Sequence, residues 1–229
     1  MSPPLDSTSH DQTRLQLLDA AEEVFAERGY AAATTREICQ RAGMKNVGAI
    51  NYYFGGKDRL YVEAVKYAMR TCMHGTPFPD WPAGTPPETK LRDFVRTMIA
   101  RMLEVPKEAS MALMSREMTR PTPSSATEEV VREHIRPMVD VLVAILDELL
   151  PDLPFERRVL VGFSIVGQCL YYRQNRAVSE VLFGRELMER FSADVLADHI
   201  ADLTLRGLGK SVDAGAQARN AKSETRSSP

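Results

Sequence analysis

Cysteine and histidine are scarce in this chain of 229 residues. The three cysteines, Cys39, Cys72 and Cys169, are odd in number and far apart. That pattern argues against a disulfide framework or a zinc ribbon and favours a reducing compartment. The four histidines form no His-x3-His pair, and no Cys-x2-Cys pair occurs. We therefore expect no metal site and no cofactor.

Long apolar runs and an excess of charge of one sign are also missing. The best candidate for a membrane span, residues 141–150, is interrupted by Asp147 and Glu148, and a bilayer requires roughly 18–20 apolar residues. The N-terminus lacks the basic-then-apolar order of a signal peptide. With 29 basic and 31 acidic side chains, the net charge is −2. These features predict a cytoplasmic protein without a membrane partner.

Catalytic motifs and strand patterns are absent too. The sequence contains no glycine-rich phosphate loop, nucleophile elbow or acid pair in a strand–turn context, so we predict no catalytic residues and no enzyme. Apolar residues recur at helical spacing instead, as in Leu17, Leu18, Ala21, Val24 and Phe25. The predicted fold class is all-α.

The chain is predicted to have four parts. Residues 1–12 form a disordered N-terminus, 13–60 a three-helix helix-turn-helix domain, 61–208 a larger helical domain, and 209–229 a disordered tail. In the larger domain, a proline-rich loop is expected over 75–87. Helices are expected over 88–104, 107–119, 127–150 (kinked at Pro137), 155–174, 178–183 and 186–208.

Capping signals divide the first domain into short helices. Gly29 is expected at the end of the first helix, and Thr34 with Glu37 forms a capping box for the second, which stops at Gly43. Asn46 is the expected cap of a third helix over 47–54, and a fourth begins at 57 and runs to about 73. Two short helices joined by a tight turn have the proportions of a helix-turn-helix, whose second helix enters the major groove of DNA.

The outward face of the third helix suits DNA. Its small residues allow close approach, asparagine can pair with adenine, and lysines and tyrosine hydroxyls suit phosphates. No acid occurs in residues 44–57. The alternative is a small three-helix subdomain whose tyrosines simply pack. Residues 1–60 hold 7 basic and 8 acidic side chains, so positive charge must be concentrated on one side. The candidate residues are Lys45, Asn46, Val47, Gly48, Ala49, Asn51, Tyr52, Tyr53 and Lys57.

Two segments, TRLQLLDAAEEVFAERGYAAATTREICQRAG and GAINYYFGGKDRLYVEAV, strongly resemble the N-terminal domain of TetR-family transcriptional regulators. The resemblance implies a homodimer that binds an operator through its first three helices and senses a small molecule through a larger helical domain. It adds Thr35 and Arg36 to the DNA contacts and identifies Lys57 with a phosphate-binding lysine. The turn at 44–46 is one residue longer than the usual family pattern. Farther along, SREMTRPTP and VVREHIRP resemble the C-terminal domain of the CecR-like subgroup.

Residues 159–172 are apolar nearly all round, so they must be buried on more than one face. The family resemblance implies that this helix and the last one pair with their copies in a four-helix dimer interface. The alternative is an ordinary core helix in a monomer. The residues assigned to the interface are Gly162, Gly167, Leu196, Ile200 and Leu203.

Methionines are concentrated on two neighbouring predicted helices and suit an adaptable ligand pocket, although such a set more often belongs to plain core. Trp81 could cover such a pocket or an exposed apolar patch, and Arg116 could orient a ligand or form a surface ion pair. The candidate pocket residues are Trp81, Met98, Met102, Met114, Arg116, Met118 and Tyr171.

Together these features predict a homodimeric, ligand-responsive repressor that binds a palindromic operator and is released by a small, largely apolar effector. Two alternatives belong to other classes. One is a helix-turn-helix adaptor that binds proteins rather than DNA, and the other is a helical enzyme.

Overall fold

The structure, a computed structural model, describes residues 7–73, 77–103 and 107–210. Every regular element within these ranges is helical, which confirms the predicted all-α class. The disorder predicted for 1–6 and 211–229 lies outside the described residues. The helices are α1 (Ser7–Ala32), α2 (Thr35–Arg41), α3 (Gly48–Phe54), α4 (Lys57–Cys72), α5 (Pro87–Leu103), α6 (Glu108–Met118), α7 (Ser125–Val130), a π-helical turn (Val131–Ile135), α8 (Arg136–Leu149), α9 (Phe155–Gln174), α10 (Arg176–Phe183), α11 (Arg185–Glu189) and α12 (Ala193–Gly207).

The first helix begins earlier than predicted. Residues 7–12, expected to be disordered, already belong to α1. Within this extension the His10 ring lies 4.7 Å from the Tyr53 ring, and two residues after it Arg14 donates a 2.8 Å hydrogen bond to Glu63. The prediction of disorder was wrong here because it weighed the polar composition and not these contacts.

Helices α1–α4, α6 and α7 share one core and form the first compact unit, which contains the described residues 7–73 and 107–137. Leu113 of α6 and Val130 of α7 are buried in the same cluster as Leu17 and Phe25 of α1. The division differs from the boundary predicted at residue 60. Apolar faces of α4, α6 and α7 complete the core that α1–α3 begin.

Gly29 interrupts α1 and marks a close approach between α1 and α6. Its φ of +73° lies in the left-handed region that favours glycine. A Cβ atom at this position would lie 3.0 Å from Nη1 of Arg116, and Nη2 of Arg116 donates to the carbonyl of Ala26 at 3.4 Å. The backbone conformation therefore favours glycine, whereas the flexible Arg116 guanidinium could move aside for a side chain here.

The second compact unit contains the described residues 77–103 and 138–210, with α5 and α8–α12 around their own core. Helix α5 packs along α12, where Arg92 and Arg96 face three aspartates spaced four residues apart. The Nε of Arg96 lies 2.7 Å from Asp194, and Nη1 of Arg92 lies 3.7 Å from Asp198. Arg92 also pairs with Asp202.

Two predicted helices are divided. The sequence predicted a kink at Pro137. The structure instead has a π-helical turn at Val131–Ile135, which ends two residues before this proline. A π-turn is one way for a helix to accommodate a residue that lacks an N–H donor. The helix predicted over 186–208 breaks into α11 and α12 because the side chain of Ser192 accepts a hydrogen bond from the Val195 N–H and begins a new helix.

Candidate nucleic-acid interface

Helix α2 begins at the predicted cap. The Oγ1 of Thr34 accepts a 3.1 Å hydrogen bond from the Glu37 N–H. The Glu37 carboxylate lies 3.5 Å from Nε of Arg28 rather than completing the predicted reciprocal capping box. Ile38 is buried, whereas Thr35 is half-exposed and Arg36 exposed, so both predicted contacts of α2 are accessible.

The turn between α2 and α3 is a Schellman motif followed by an asparagine cap. Gly43 has a φ of +73°, and the Met44 N–H donates to the Cys39 carbonyl at 2.8 Å. The Oδ1 of Asn46 then accepts a 2.8 Å hydrogen bond from the Gly48 N–H. Helix α3 therefore begins one residue later than predicted, and Met44, packed partly against the first core, occupies the longer turn.

Helix α3 divides sharply into a buried and an exposed side. Ile50 and Phe54 are buried, as their spacing predicted, while Asn51 and Tyr52 are exposed. Lys45, Asn46, Val47 and Gly48 are also exposed, and Ala49 and Tyr53 are half-buried. The predicted residues therefore lie together along one short helix and its preceding turn, with no acidic side chain among them.

Lys57 is held directly after α3 by an aromatic ring. Its Nζ lies 4.5 Å from the centroid of the Tyr30 ring, a cation–π distance. The Tyr30 hydroxyl donates to the Asp58 carboxylate, and this hydrogen bond raises the pKa of Tyr30. The lysine is thereby placed at the beginning of α4, where its charge and the helix N-terminus both suit a phosphate.

Three acids of the first unit, Glu23, Glu27 and Glu37, form ion pairs with arginines of α1 and α2. The Nη1 of Arg41 lies 2.5 Å from Glu27 and 3.6 Å from Glu23. Glu37 pairs with Arg28. Arg36 and Lys45 are exposed on α2 and on the turn before α3, and Asp58 is exposed directly after Lys57.

A depression of about 420 Å³ separates α2 from α3. Its lining includes Gln40, an exposed residue of α2 that the sequence analysis did not select although it follows Arg36 by one helical turn. Cys39 lies at its base and is almost fully buried. Burial raises the pKa of this thiol, which keeps it neutral and favours a packing role.

The predicted ligand-pocket residues do not share one core. Met98 is buried in the core of the second unit, with Met102 and Trp81 packed against it. Met114 is buried in the core of the first unit. Arg116 is exposed, and its guanidinium lies against Gly29 of the first unit. Met118 and Tyr171 are exposed. Helical spacing shows that a methionine faces inward but not which core it enters, so the ligand pocket stays a prediction.

Three of the five residues assigned to the dimer interface are buried within the second unit. Leu196 and Ile200 belong to its core, and Gly162 is buried with the Leu142 side chain 3.6 Å from the position a Cβ would take. Their side chains, or the space beside the glycine, are therefore already occupied within the single chain. Leu203 is exposed, and a Cβ at Gly167 would meet nothing within 4 Å.

A carboxylate that the sequence suggested as a ligand contact or a surface ion pair is instead buried and joins three helices of the first unit. Glu117 of α6 accepts hydrogen bonds from Tyr61 of α4 and from Thr127 of α7, each at 2.5 Å, and from Ser124. Burial acts to raise the pKa of Glu117, but these donors and Arg120 outweigh it, so the pKa is lowered. Its position inside the SREMTRPTP motif was the available signal.

No cluster of three or more potential metal ligands occurs among residues 7–73, 77–103 and 107–210. In the same ranges, none of the helices has the length and apolar character needed to cross a bilayer.

Two family profiles match the chain. Residues 17–64 match the profile "Bacterial regulatory proteins, tetR family". This range contains α2, α3 and the beginning of α4. Residues 87–208 match "HTH-type transcriptional dual regulator CecR, C-terminal domain", which covers more than half of the chain.

Curated relatives agree with the first profile. The chain is 42% identical over 67 residues to the HTH-type transcriptional dual regulator CecR of Shigella flexneri, a match covering 29% of each chain. It is 38% identical over 65 residues to the HTH-type transcriptional repressor KstR2 of Rhodococcus jostii, covering 28% of this chain and 31% of that protein. Each match therefore spans less than a third of the relative's length.

The same fold occurs in a solved TetR-like transcriptional regulator from Rhodococcus sp. RHA1, at a TM-score of 0.53 and 17% identity, over 87% of this chain and 97% of that one. The relatives are transcription regulators rather than enzymes, in agreement with the prediction. With its helix-turn-helix at α2–α3 and its CecR-type C-terminal region, the chain belongs to the TetR family of transcriptional regulators.

Proposed function

We propose that the chain is a homodimeric repressor that inserts α3 into the major groove of a palindromic operator. The observation that carries this proposal is the accessible face of α3, which presents Asn51 and Tyr52 without an acidic neighbour. Lys57, fixed over Tyr30, follows at the start of α4. Asparagine can donate to and accept from adenine, while lysine and tyrosine suit the phosphates on either side.

The dimer is supported by the uncovered apolar side of α9. Leu160 is 54% and Phe163 69% exposed in the single chain, whereas Ile165 and Cys169 on the other side are buried. Leu203 of α12 is exposed as well, and a groove lined by Val161, Gln168 and other residues of both helices separates α9 from α12. A second copy placed against α9 and α12 would remove this apolar surface from water.

An apolar effector would bind in the second unit. Met98, Met102 and Trp81 meet at one core there, and the Trp81 Nε1 donates to Asp93 at 3.2 Å. The Phe78 ring stacks on Phe94 at 4.9 Å beside them. Flexible thioethers and aromatic rings form adaptable apolar sites. Release of DNA requires only that the effector favour one dimer conformation by about 1–3 kcal/mol, or about 5–150-fold in affinity.

Repression is the proposed sign of regulation, with support from the KstR2 relative, which is named a repressor. The CecR relative is named a dual regulator, so activation at some promoters is the competing outcome.

Selection of bound sites from random DNA tests the proposal directly. A palindrome whose half-sites are separated by whole helical turns is expected, because two copies of α3 must meet the same side of the duplex. Enrichment of a single half-site would contradict the dimer. Failure to retain any DNA at low salt would contradict DNA binding and favour the protein-binding adaptor.

A further inference from the structure

We propose that His10 is an additional DNA-binding residue, which contributes a phosphate contact that strengthens as the imidazole gains a proton. This inference rests on the proposed role of α3 and names a further residue of the same interface. His10 lies beside α3 because α1 extends farther toward the N-terminus than the sequence predicted.

Three rings meet where α1 and α3 touch. The His10 ring is 4.7 Å from Tyr53 and 6.0 Å from Tyr52, which it meets edge-on. The two tyrosines are themselves 5.0 Å apart in a T-shaped arrangement. Tyr52 is 69% exposed, and His10 is exposed too, so the cluster opens to solvent on the DNA-binding side. Aromatic rings attract a neighbouring cation, so the two tyrosines can accommodate an imidazolium ion in this position.

The charges around His10 leave its positive form available for a phosphate. From α3 only the tyrosines Tyr52 and Tyr53 face it, because α3 carries no charged side chain. On α1 itself the neighbouring charged groups are Asp11 and Arg14, and Arg14 is paired with Glu63 of α4. In general, histidine is the side chain that changes charge between pH 5 and pH 8, and this sets the two pH values of the experiment.

The experiment compares operator affinity at pH 5.5 and pH 8.5 for four full-length proteins, using a DNA site selected by the wild type. The wild type is expected to bind more tightly at the lower pH, by up to about fivefold for each protomer, the upper range for an exposed ion pair. His10→Gln is expected to lose this gain. His10→Lys, with a fixed charge, is expected to bind tightly at both pH values.

The matched control moves the histidine without changing the composition. Gln12 is exposed on α1, two residues and therefore about 200° around the helix from His10. The double variant His10→Gln with Gln12→His is expected to behave like His10→Gln alone.

Four results would overturn the proposal. They are an equal pH response in the wild type and His10→Gln, a full response in the double variant, weak binding by His10→Lys at pH 8.5, and a salt slope at pH 5.5 that His10→Gln leaves unchanged. Loss of all binding by the wild type at both pH values would instead refute the proposed function itself, so the two failures are distinguishable. Circular dichroism of each variant confirms that α1 still folds.

Discussion

The Tyr61 hydroxyl on α4 donates a 2.5 Å hydrogen bond to the buried carboxylate of Glu117 on α6. Helix α4 begins directly after α3. This bond therefore connects α4 to the CecR-type motif SREMTRPTP, which contains Glu117. The same carboxylate accepts from Ser124 and Thr127 at the beginning of α7. A single acid on α6 thus satisfies three donors from two other segments, α4 and the beginning of α7, within one core.

Removing one donor from this carboxylate should destabilise the first unit measurably. Tyr61→Phe is expected to lower the free energy of unfolding by about 1–3 kcal/mol, since a buried charged acceptor loses a partner. Urea unfolding measures the change. Tyr52→Phe is the control, because Tyr52 is exposed on the same unit and should change stability by less than about 0.5 kcal/mol. Equal effects of the two substitutions would refute the role of the Glu117 bond.

The ionised form of Glu117 should make stability depend on pH on the acid side. Its pKa is lowered in the folded protein, so its contribution is present above the ordinary carboxyl pKa and disappears as the pH falls through the folded value. Compared with Glu117→Gln, the wild type should therefore lose an additional increment of stability as the pH falls below about 4.5. Parallel pH profiles of the two proteins would show that the carboxylate carries no such linkage.

Lys57→Ala is expected to weaken binding to every DNA sequence by a similar factor, because a phosphate contact carries no sequence information. The slope of log affinity against log salt should decrease in magnitude by about 0.9 for each phosphate that the lysine no longer neutralises. Arg185→Ala, which removes an exposed cation from α11, is the control and should leave the slope unchanged. A loss confined to one operator sequence would contradict the assignment.

Asn51→Ala is expected to flatten base preference at one symmetric pair of operator positions. A bidentate contact with a base discriminates by about 1–3 kcal/mol, whereas nonspecific affinity carried by Lys57 should remain. Sites selected from random DNA by wild type and variant measure the difference. Identical preferences at every position would leave Val47 and Ala49 as the remaining base-reading candidates on this helix.

Replacing either of two glycines of α9 by leucine should affect a different property of the protein. Gly162→Leu is expected to lower thermal stability, because Leu142 and Leu146 lie 3.6 and 3.7 Å from the position of its Cβ. Gly167→Leu has open space around it in the single chain and should instead weaken dimerisation with little effect on folding. Sedimentation together with thermal unfolding separates the outcomes. A stable, fully dimeric Gly167→Leu protein would exclude this position from the interface.

Local features of the sequence were largely predictable. The cap at Thr34, the buried pair Ile50 and Phe54, and the extent of α9 all depend on residues close together in the chain. Features that depend on contacts between residues far apart in the sequence were not predictable. No spacing rule reveals that Met114 and Met98 enter different cores, or that His10 lies in a helix with its ring against Tyr53.

The shared core of α1–α4, α6 and α7 limits how this protein can be recombined. Leu113, Met114, Ala126 and Val130 complete a hydrophobic cluster begun by the helices that precede residue 60. A chimera joined at that point would bring foreign side chains against Leu17 and Phe25 and would place a different residue where Arg116 meets Gly29. Exchange of C-terminal regions between such regulators should therefore succeed only when the segment containing α6 and α7 is kept together with α1–α4 of the same protein.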